Sequence, residues 1–353
     1  MRTSSASENR AAAEKTVRLM EVCGTHTMAI AKAGIRSILP PDVELVSGPG
    51  CPVCVTDQSE IDAILALSEE KDVILTTYGD MVRVPGSVRG DSLAKRAAKG
   101  ARVEVVYSPL DSLTVAKENP EKQIVFLGVG FETTAPGTAA FVRTVKESGA
   151  KNVTCLPLLK TCEPVLRALI REPDFRVNGF LLPGHVSTIL GEDGFRFLPE
   201  EFGIPAVIGG FEPEDAIRAL DRLIRQIRNG EAKLENEYRR AVRPEGNPLA
   251  RAMTAEVFEP ADSVWRGIGP IPGSGLAIRK AYETVDAKKR FGIEPKETPE
   301  PAGCRCGEVI KGALAPGSCP LFGTVCYPED PVGPCMVSSE GACAAAYKYG
   351  SVR

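Results

Sequence analysis

Six times along this chain a short, unbroken run of β-branched and other apolar residues leads into a loop of glycine, proline, threonine and acidic residues, then into a stretch of helical length. The segments are VRLMEVCGTHT from Val17, VELVSGPGCPVC from Val43, DVILTTYGDMVRVPGS from Asp72, QIVFLGVGFETTAPGTA from Gln123, GFLLPGHVSTILG from Gly179 and PAVIGGFEPED from Pro205. Runs that are continuous rather than alternating belong to parallel strands buried on both faces, so the pattern predicts an α/β architecture. In open parallel sheets ligands bind beyond the carboxyl ends of the strands, which is where each of these polar loops falls.

A chain of 353 residues is too long for one ordinary core. The charged stretch Lys117 to Lys122 is read as a separator, giving one α/β domain over residues 1–115 and a second over 116–242. Between Glu214 and about Arg240 the residues Ile217, Leu220, Leu223, Ile224 and Ile227 recur at helical spacing, which predicts a long helix packed on a sheet. From Arg243 the composition shifts to PEGNP, GPIPGSG and EPKETPEPAG, and a third domain is expected over 243–353. A net charge of −3 gives no electrostatic footprint for nucleic acid or an anionic membrane. No run is long enough to span a bilayer, and the N-terminal residues lack an apolar targeting segment, so a cytoplasmic location is expected.

Six of the eleven cysteines, Cys304, Cys306, Cys319, Cys326, Cys335 and Cys343, fall in the last fifty residues, among glycines and prolines with little apolar periodicity. Such a segment needs a cross-link or a metal, and in a reducing compartment a metal or redox device is the expected use. Cys304, Cys319, Cys326 and Cys343 are separated by fourteen, six and sixteen residues, too irregular for paired zinc hooks but compatible with thiolates around a cluster. Iron-sulfur cluster and structural zinc both remain open on spacing alone. Cys306 and Cys335 are left over as a pair able to cycle between dithiol and disulfide.

Upstream, Cys51-Pro-Val-Cys54 follows a strand and is set as a redox pair or metal hook. Cys23 ends another strand with His26 three residues on, a thiol and imidazole suited to a transition metal. Of the two histidines, His26 is the stronger functional candidate, and His185 stands at a further strand end. Asp80 and Glu132 occupy equivalent loops, where helix capping competes with acid–base work. Cys155 and Cys162 flank an apolar run and read as core thiols, with Cys162 the more exposed. Gly128-Val-Gly130 lacks the third glycine of a dinucleotide fingerprint, and no phosphate loop, zinc-protease helix or nucleophile elbow occurs.

These motifs together resemble the HypD family of hydrogenase formation factors. CGTHT, GPGCPVC, TTYGDMVRVPGS, GFETTAPGTA, PGHVS and the spacing of the tail carry the resemblance, which covers all but the first fifteen or so residues. The resemblance implies two parallel-sheet α/β domains facing a cleft, plus a small C-terminal iron-sulfur cluster domain. It implies a scaffold on which an iron atom acquires two cyanides and one carbon monoxide, rather than a conventional turnover enzyme. It further implies Cys23 as the iron ligand with His26 close by, Cys51 and Cys54 as a redox pair, and Thr25, Asp80, Glu132 and His185 near the cleft. Cys304, Cys319, Cys326 and Cys343 would hold a 4Fe-4S cluster beside the Cys306 and Cys335 dithiol. The expected partners are a small HypC-type chaperone sharing the iron, a HypE-type cyanide donor and, indirectly, the hydrogenase large subunit. A cluster-dependent thiol-disulfide oxidoreductase acting on a protein partner and a zinc-stabilised binding module are the rival readings.

Overall fold

The computed structural model of the chain describes residues 16–350; the N-terminal stretch read for a targeting segment lies largely outside the described residues. All six predicted runs form strands, and they assemble into two parallel sheets. The first has the order β2 (Val43–Ser47), β1 (Val17–Glu21), β7 (Gly179–Pro183), β8 (Ala206–Gly209), β9 (Leu234–Asn236). The second runs β4 (Arg102–Val105), β3 (Val73–Thr77), β5 (Gln123–Gly130), β6 (Val153–Leu159). Every residue of β3, β6, β7 and β8 is buried, as continuous apolar runs flanked by helices on both faces require.

The linear domain division does not survive the pairing. β1 aligns in parallel with β7, Leu19 beside Gly179, so the first sheet takes its strands from both sides of the second. The boundary placed at residue 115 falls inside the second sheet, where Lys117 to Lys122 merely joins a helix (Asp111–Glu118) to β5. The physical reason is that pairing partners are chosen by sheet-wide packing, which local composition does not report. The long helix is also shorter than expected: it spans Pro213–Arg228, and the chain then turns into β9. Leu220, Leu223 and Ile224 are buried in it as predicted, while Ile217 is exposed.

The segment after Arg243 opens with a helix (Pro248–Val257) and an antiparallel hairpin, β10 (Phe258–Trp265) and β11 (Gly269–Ile278). This hairpin is bonded to the second sheet's surroundings rather than to the tail alone, through bridges Thr56 to Trp265 and Lys160 to Gly275. Trp265, the only tryptophan, is fully buried, donates through Nε1 to Ser274 Oγ at 2.8 Å and stacks on Phe131. A buried ion pair anchors the same region: Lys160 Nζ meets Glu60 Oε2 at 2.9 Å and also donates to Ser263 Oγ and the Val264 carbonyl. Among the described residues no helix is long and apolar enough to cross a membrane.

Candidate functional site: a thiol-lined cleft and a cysteine cavity

Each sheet has one point where strand order reverses, and the site residues collect there. In the first sheet the chain leaves β1 toward one edge and β7 toward the other, so the loops bearing Cys23 and His185 open side by side. In the second the equivalent point lies between β3 and β5, whose loops bear Asp80 and Glu132. The loops of both sheets meet: one cavity is lined by Glu132 and Thr161 from one and by Ile189 and Leu190 from the other.

Cys23 precedes the helix Gly24–Lys32 and is buried. Burial, with further contributions from the Glu340 and Glu21 charges, pushes its thiol up to about 12, so it keeps its proton at neutral pH. Glu21 is fully buried; its carboxylate accepts from Cys23 N at 3.1 Å and from Thr27 Oγ1 at 2.6 Å. Desolvation raises this carboxyl to about 7, against opposing bonds from Ser47 and Thr27. Across the cleft, Cys162 starts the helix Cys162–Ile170 and is buried, a core thiol as read from the sequence and slightly more exposed than Cys155. Its thiol is pushed well up by burial, then by Glu132, and it lies within electrostatic reach of Cys23. Glu132 Oε1 accepts from Cys162 N at 2.7 Å, while its buried Oε2 has no partner.

His26 is fully buried, and its Nε2 lies 2.9 Å from the Gly210 carbonyl. Because a carbonyl only accepts, Nε2 carries the proton, and desolvation lowers the imidazole to about 4, keeping it neutral. Nδ1 is then a bare lone pair, buried and without a partner. Phe211 separates the two histidines, its ring 4.7 Å from His26 and 3.9 Å from the exposed His185. Thr25 and Asp80 turn to the tail instead of the cleft. Thr25 Oγ1 donates to Glu340 Oε1 at 2.7 Å, and Asp80 Oδ2 accepts from Ser338 Oγ, Ser339 N and Ser339 Oγ.

Those contacts dock the cysteine tail against Cys23. Cys51 and Cys54 are joined by a disulfide around the short helix Pro52–Val55. The loop is pressed on Cys23: Gly24 N donates to Gly50 O at 3.0 Å, and a Cβ on Gly50 would stand 2.2 Å from Cys23 N, so only glycine fits. On its other side the disulfide shares a narrow cavity with Cys335 and Glu340. Cys335 Sγ in turn lies 2.7 Å from Cys306 Sγ, both buried. Hydrogen bonds from the Cys304 and Cys335 thiols hold the Cys306 thiol well below its ordinary range, with help from the Arg266 charge.

All six tail cysteines line one small cavity, walled by Val309, Leu321, Phe322 and Met336. Cys306 and Cys335 form the close pair, leaving Cys304, Cys319, Cys326 and Cys343 spaced around the walls. Among the described residues no three ligand-type side chains converge on a single point. The backbone is cut to fit the sulfurs: a Cβ on Gly333 would meet Cys304 Sγ at 2.6 Å, and Val332 N donates to Cys326 Sγ at 3.3 Å. A ring of soft donors around an apolar-walled cavity, with an amide aimed at a sulfur, fits a polynuclear cluster. Glu21, Glu340 and Arg266 were not singled out in the sequence, and Cys162 was read only as a core thiol. A carboxylate inside an unbroken strand run, as in VRLMEVC, is the signal that marks Glu21.

Fold and site define a two-sheet α/β protein whose strand-end loops hold the buried Cys23 thiol and the Cys51–Cys54 disulfide, with a six-cysteine tail cavity docked against them. The chain matches the family described as Hydrogenase formation hypA family, HypD, over residues 2–350, so the match extends through the N-terminal residues that the motifs leave out. It is 44% identical over 346 residues to the hydrogenase maturation factor HypD of Azotobacter vinelandii, covering 96% of this chain and 91% of that protein. The HypD of Escherichia coli is 44% identical over 338 residues, at 96% and 90% coverage, and HypD2 of Bradyrhizobium diazoefficiens is 43% identical over 346 residues, at 96% and 91%. This chain belongs to the HypD family.

Proposed function

We propose that this chain is a hydrogenase maturation factor, the scaffold on which iron destined for a nickel-iron hydrogenase receives two cyanides and one carbon monoxide. The iron is cargo. Cys23 binds it together with a small HypC-type partner, a HypE-type donor brings cyanide, and the product passes to the hydrogenase large subunit in the cytoplasm. The observation that carries this reading is that the fold gathers, from across about three hundred residues of sequence, the six-cysteine cavity, the Cys51–Cys54 disulfide that shares a pocket with Cys335, and the Gly50 loop packed on Cys23.

The residues divide the work. A thiol held near 12 loses its proton only to a bound cation, so Cys23 is quiet until iron enters. Neutral His26 offers its bare Nδ1 beside the site as a hydrogen-bond acceptor or ligand, and Phe211 shields it from water. Cys304, Cys319, Cys326 and Cys343 would hold a 4Fe-4S cluster, which supplies one-electron chemistry when bound. The Cys306–Cys335 dithiol, facing the Cys51–Cys54 disulfide across their shared cavity, reduces it by thiol–disulfide exchange. One S–S bond breaks and one forms, and two electrons and two protons move to Cys51 and Cys54.

The test is anaerobic coexpression with the maturation partners, followed by metal analysis and infrared spectroscopy. Cyanide and carbonyl stretches are expected on the complex and should vanish in Cys23→Ala. Iron and sulfide without those stretches in the unmodified complex would refute the scaffold and favour a cluster-dependent thiol-disulfide oxidoreductase, which the buried disulfide beside Cys335 also suits. Zinc alone would leave a binding module.

A further inference from the structure

Thr161 precedes the helix Cys162–Ile170, where a threonine hydroxyl ordinarily accepts from an N–H of the first turn, yet it makes no such bond. The cap comes from another loop instead, with Cys162 N donating to Glu132 Oε1 at 2.7 Å. Thr161 Oγ1 is buried without a partner, and so is Glu132 Oε2. Both residues line the cavity where the loops of the two sheets meet, and Thr161 is fixed there by its N–H to Ser274 O at 2.9 Å. The rest of the wall is mainly apolar, with Ala135, Leu190, Phe258 and Leu276. Two arginines line it as well, but they are bonded elsewhere. Arg279 donates to the Ala255 and Phe258 carbonyls and to Glu259, and the exposed Arg251 donates to the Glu245 carbonyl.

Leaving a buried hydroxyl and a buried carboxyl oxygen unbonded is costly, and a largely apolar space is a poor host for water alone. The charge that bears on Glu132, Glu163, has its own sign, and burial raises its carboxyl. The complement is an uncharged group that both donates and accepts hydrogen bonds, carried on an apolar body. We propose that the cavity is a binding site for a small neutral carboxamide, its amide on Glu132 Oε2 and Thr161 Oγ1 and its hydrocarbon part against Leu190, Phe258 and Leu276. An amide suits the carboxyl in either ionisation state: its N–H meets a carboxylate, and its C=O meets a protonated oxygen. The threonine hydroxyl turns to serve whichever end remains. A charged head would be buried there without a counter-ion. Because Glu132 holds Cys162 N with its other oxygen, the occupant is bound to the same carboxyl that caps the helix. Binding requires none of the iron chemistry proposed above.

Benzamide is the probe, with toluene as the same body without the amide and benzoate as a charged head of similar size. Each is titrated into the full-length protein and into its T161V and L276W variants, and binding is read by saturation-transfer NMR. The parent should bind benzamide about tenfold or more tighter than toluene or benzoate. T161V, which deletes the hydroxyl and keeps the shape, should weaken benzamide by about tenfold and leave toluene unchanged. L276W, which fills the cavity, should abolish transfer to both. No transfer from the parent to benzamide overturns the proposal and leaves the cavity to water. Benzamide bound no tighter than toluene also overturns it, as does parent-like benzamide binding in T161V. Should T161V fail to fold by circular dichroism, L276W decides: benzamide binding retained there puts the probe elsewhere on the molecule and overturns the site.

Discussion

Replacing Glu21 by glutamine should stabilise the metal-free protein at alkaline pH, although it removes a charged group bonded to the residue proposed to hold iron. Glutamine can keep the geometry: its oxygen accepts from Cys23 N, its amide donates to Thr27 Oγ1, and the Thr27 hydroxyl turns its own proton to the Cys23 carbonyl, 3.2 Å away. The difference is the charge. Glu21 is fully buried and its folded carboxyl is raised from 4.5 to about 7. A raised carboxyl favours the native state while it is protonated, so its contribution is complete below about 4.5 and is lost as pH rises through about 7. At roughly 1.4 kcal/mol per pH unit that loss approaches about 3 kcal/mol. The stability of Glu21→Gln minus that of the parent should therefore grow by about 3 kcal/mol between pH 4.5 and pH 8. Urea unfolding followed through Trp265 fluorescence, with reductant constant and chelator present, measures it. Stability curves for the two proteins that run parallel across this range would refute the argument from burial.

Two further substitutions probe the packing that builds the site. Gly50→Ala puts a methyl 2.2 Å from Cys23 N and should cost several kcal/mol, seen as a large drop in melting temperature, whereas Gly137→Ala, in open space on the helix Ala135–Ser148, should stabilise by about 0.5–1 kcal/mol. Lys160→Met strands the Glu60 carboxylate and should cost about 3–5 kcal/mol by denaturant titration; adding Glu60→Gln should recover a large part, since the penalty is the uncompensated charge.

The strands were legible because their apolar runs carry their own signature: VILTT, QIVFLGVG and GFLLP need burial on both faces wherever they lie. The strand order was not, because nothing in Leu19 or Gly179 announces that they will be neighbours across 160 residues. The thiols at strand ends were legible for the same reason as the strands, since a polar loop after a parallel strand has one place to go. Thr25 and Asp80 misled because their loops, correctly placed at strand ends, are claimed by Glu340 and the Ser338–Ser339 turn of a domain that local sequence leaves without a position. Arg266 was hidden more deeply. Nothing in VWRGIG announces that the hairpin will bury this side chain against Thr56 and Gln58, on the chain leaving Cys51–Cys54.

The interleaved strand order has a consequence for the protein's birth on the ribosome. The second sheet is drawn from one contiguous stretch, residues 73–159, and can close as soon as it emerges. The first cannot: β1 and β2 are made early but wait for β7 and β8, synthesised more than 130 residues later. Until then Cys23 and the Cys51–Cys54 pair stand on an unfinished edge, open to the surrounding medium. Only when the tail arrives, last of all, do Glu340 and the cysteine cavity seal them in. The order of translation thus delays closure around Cys23 until the last cysteine of the tail has been made.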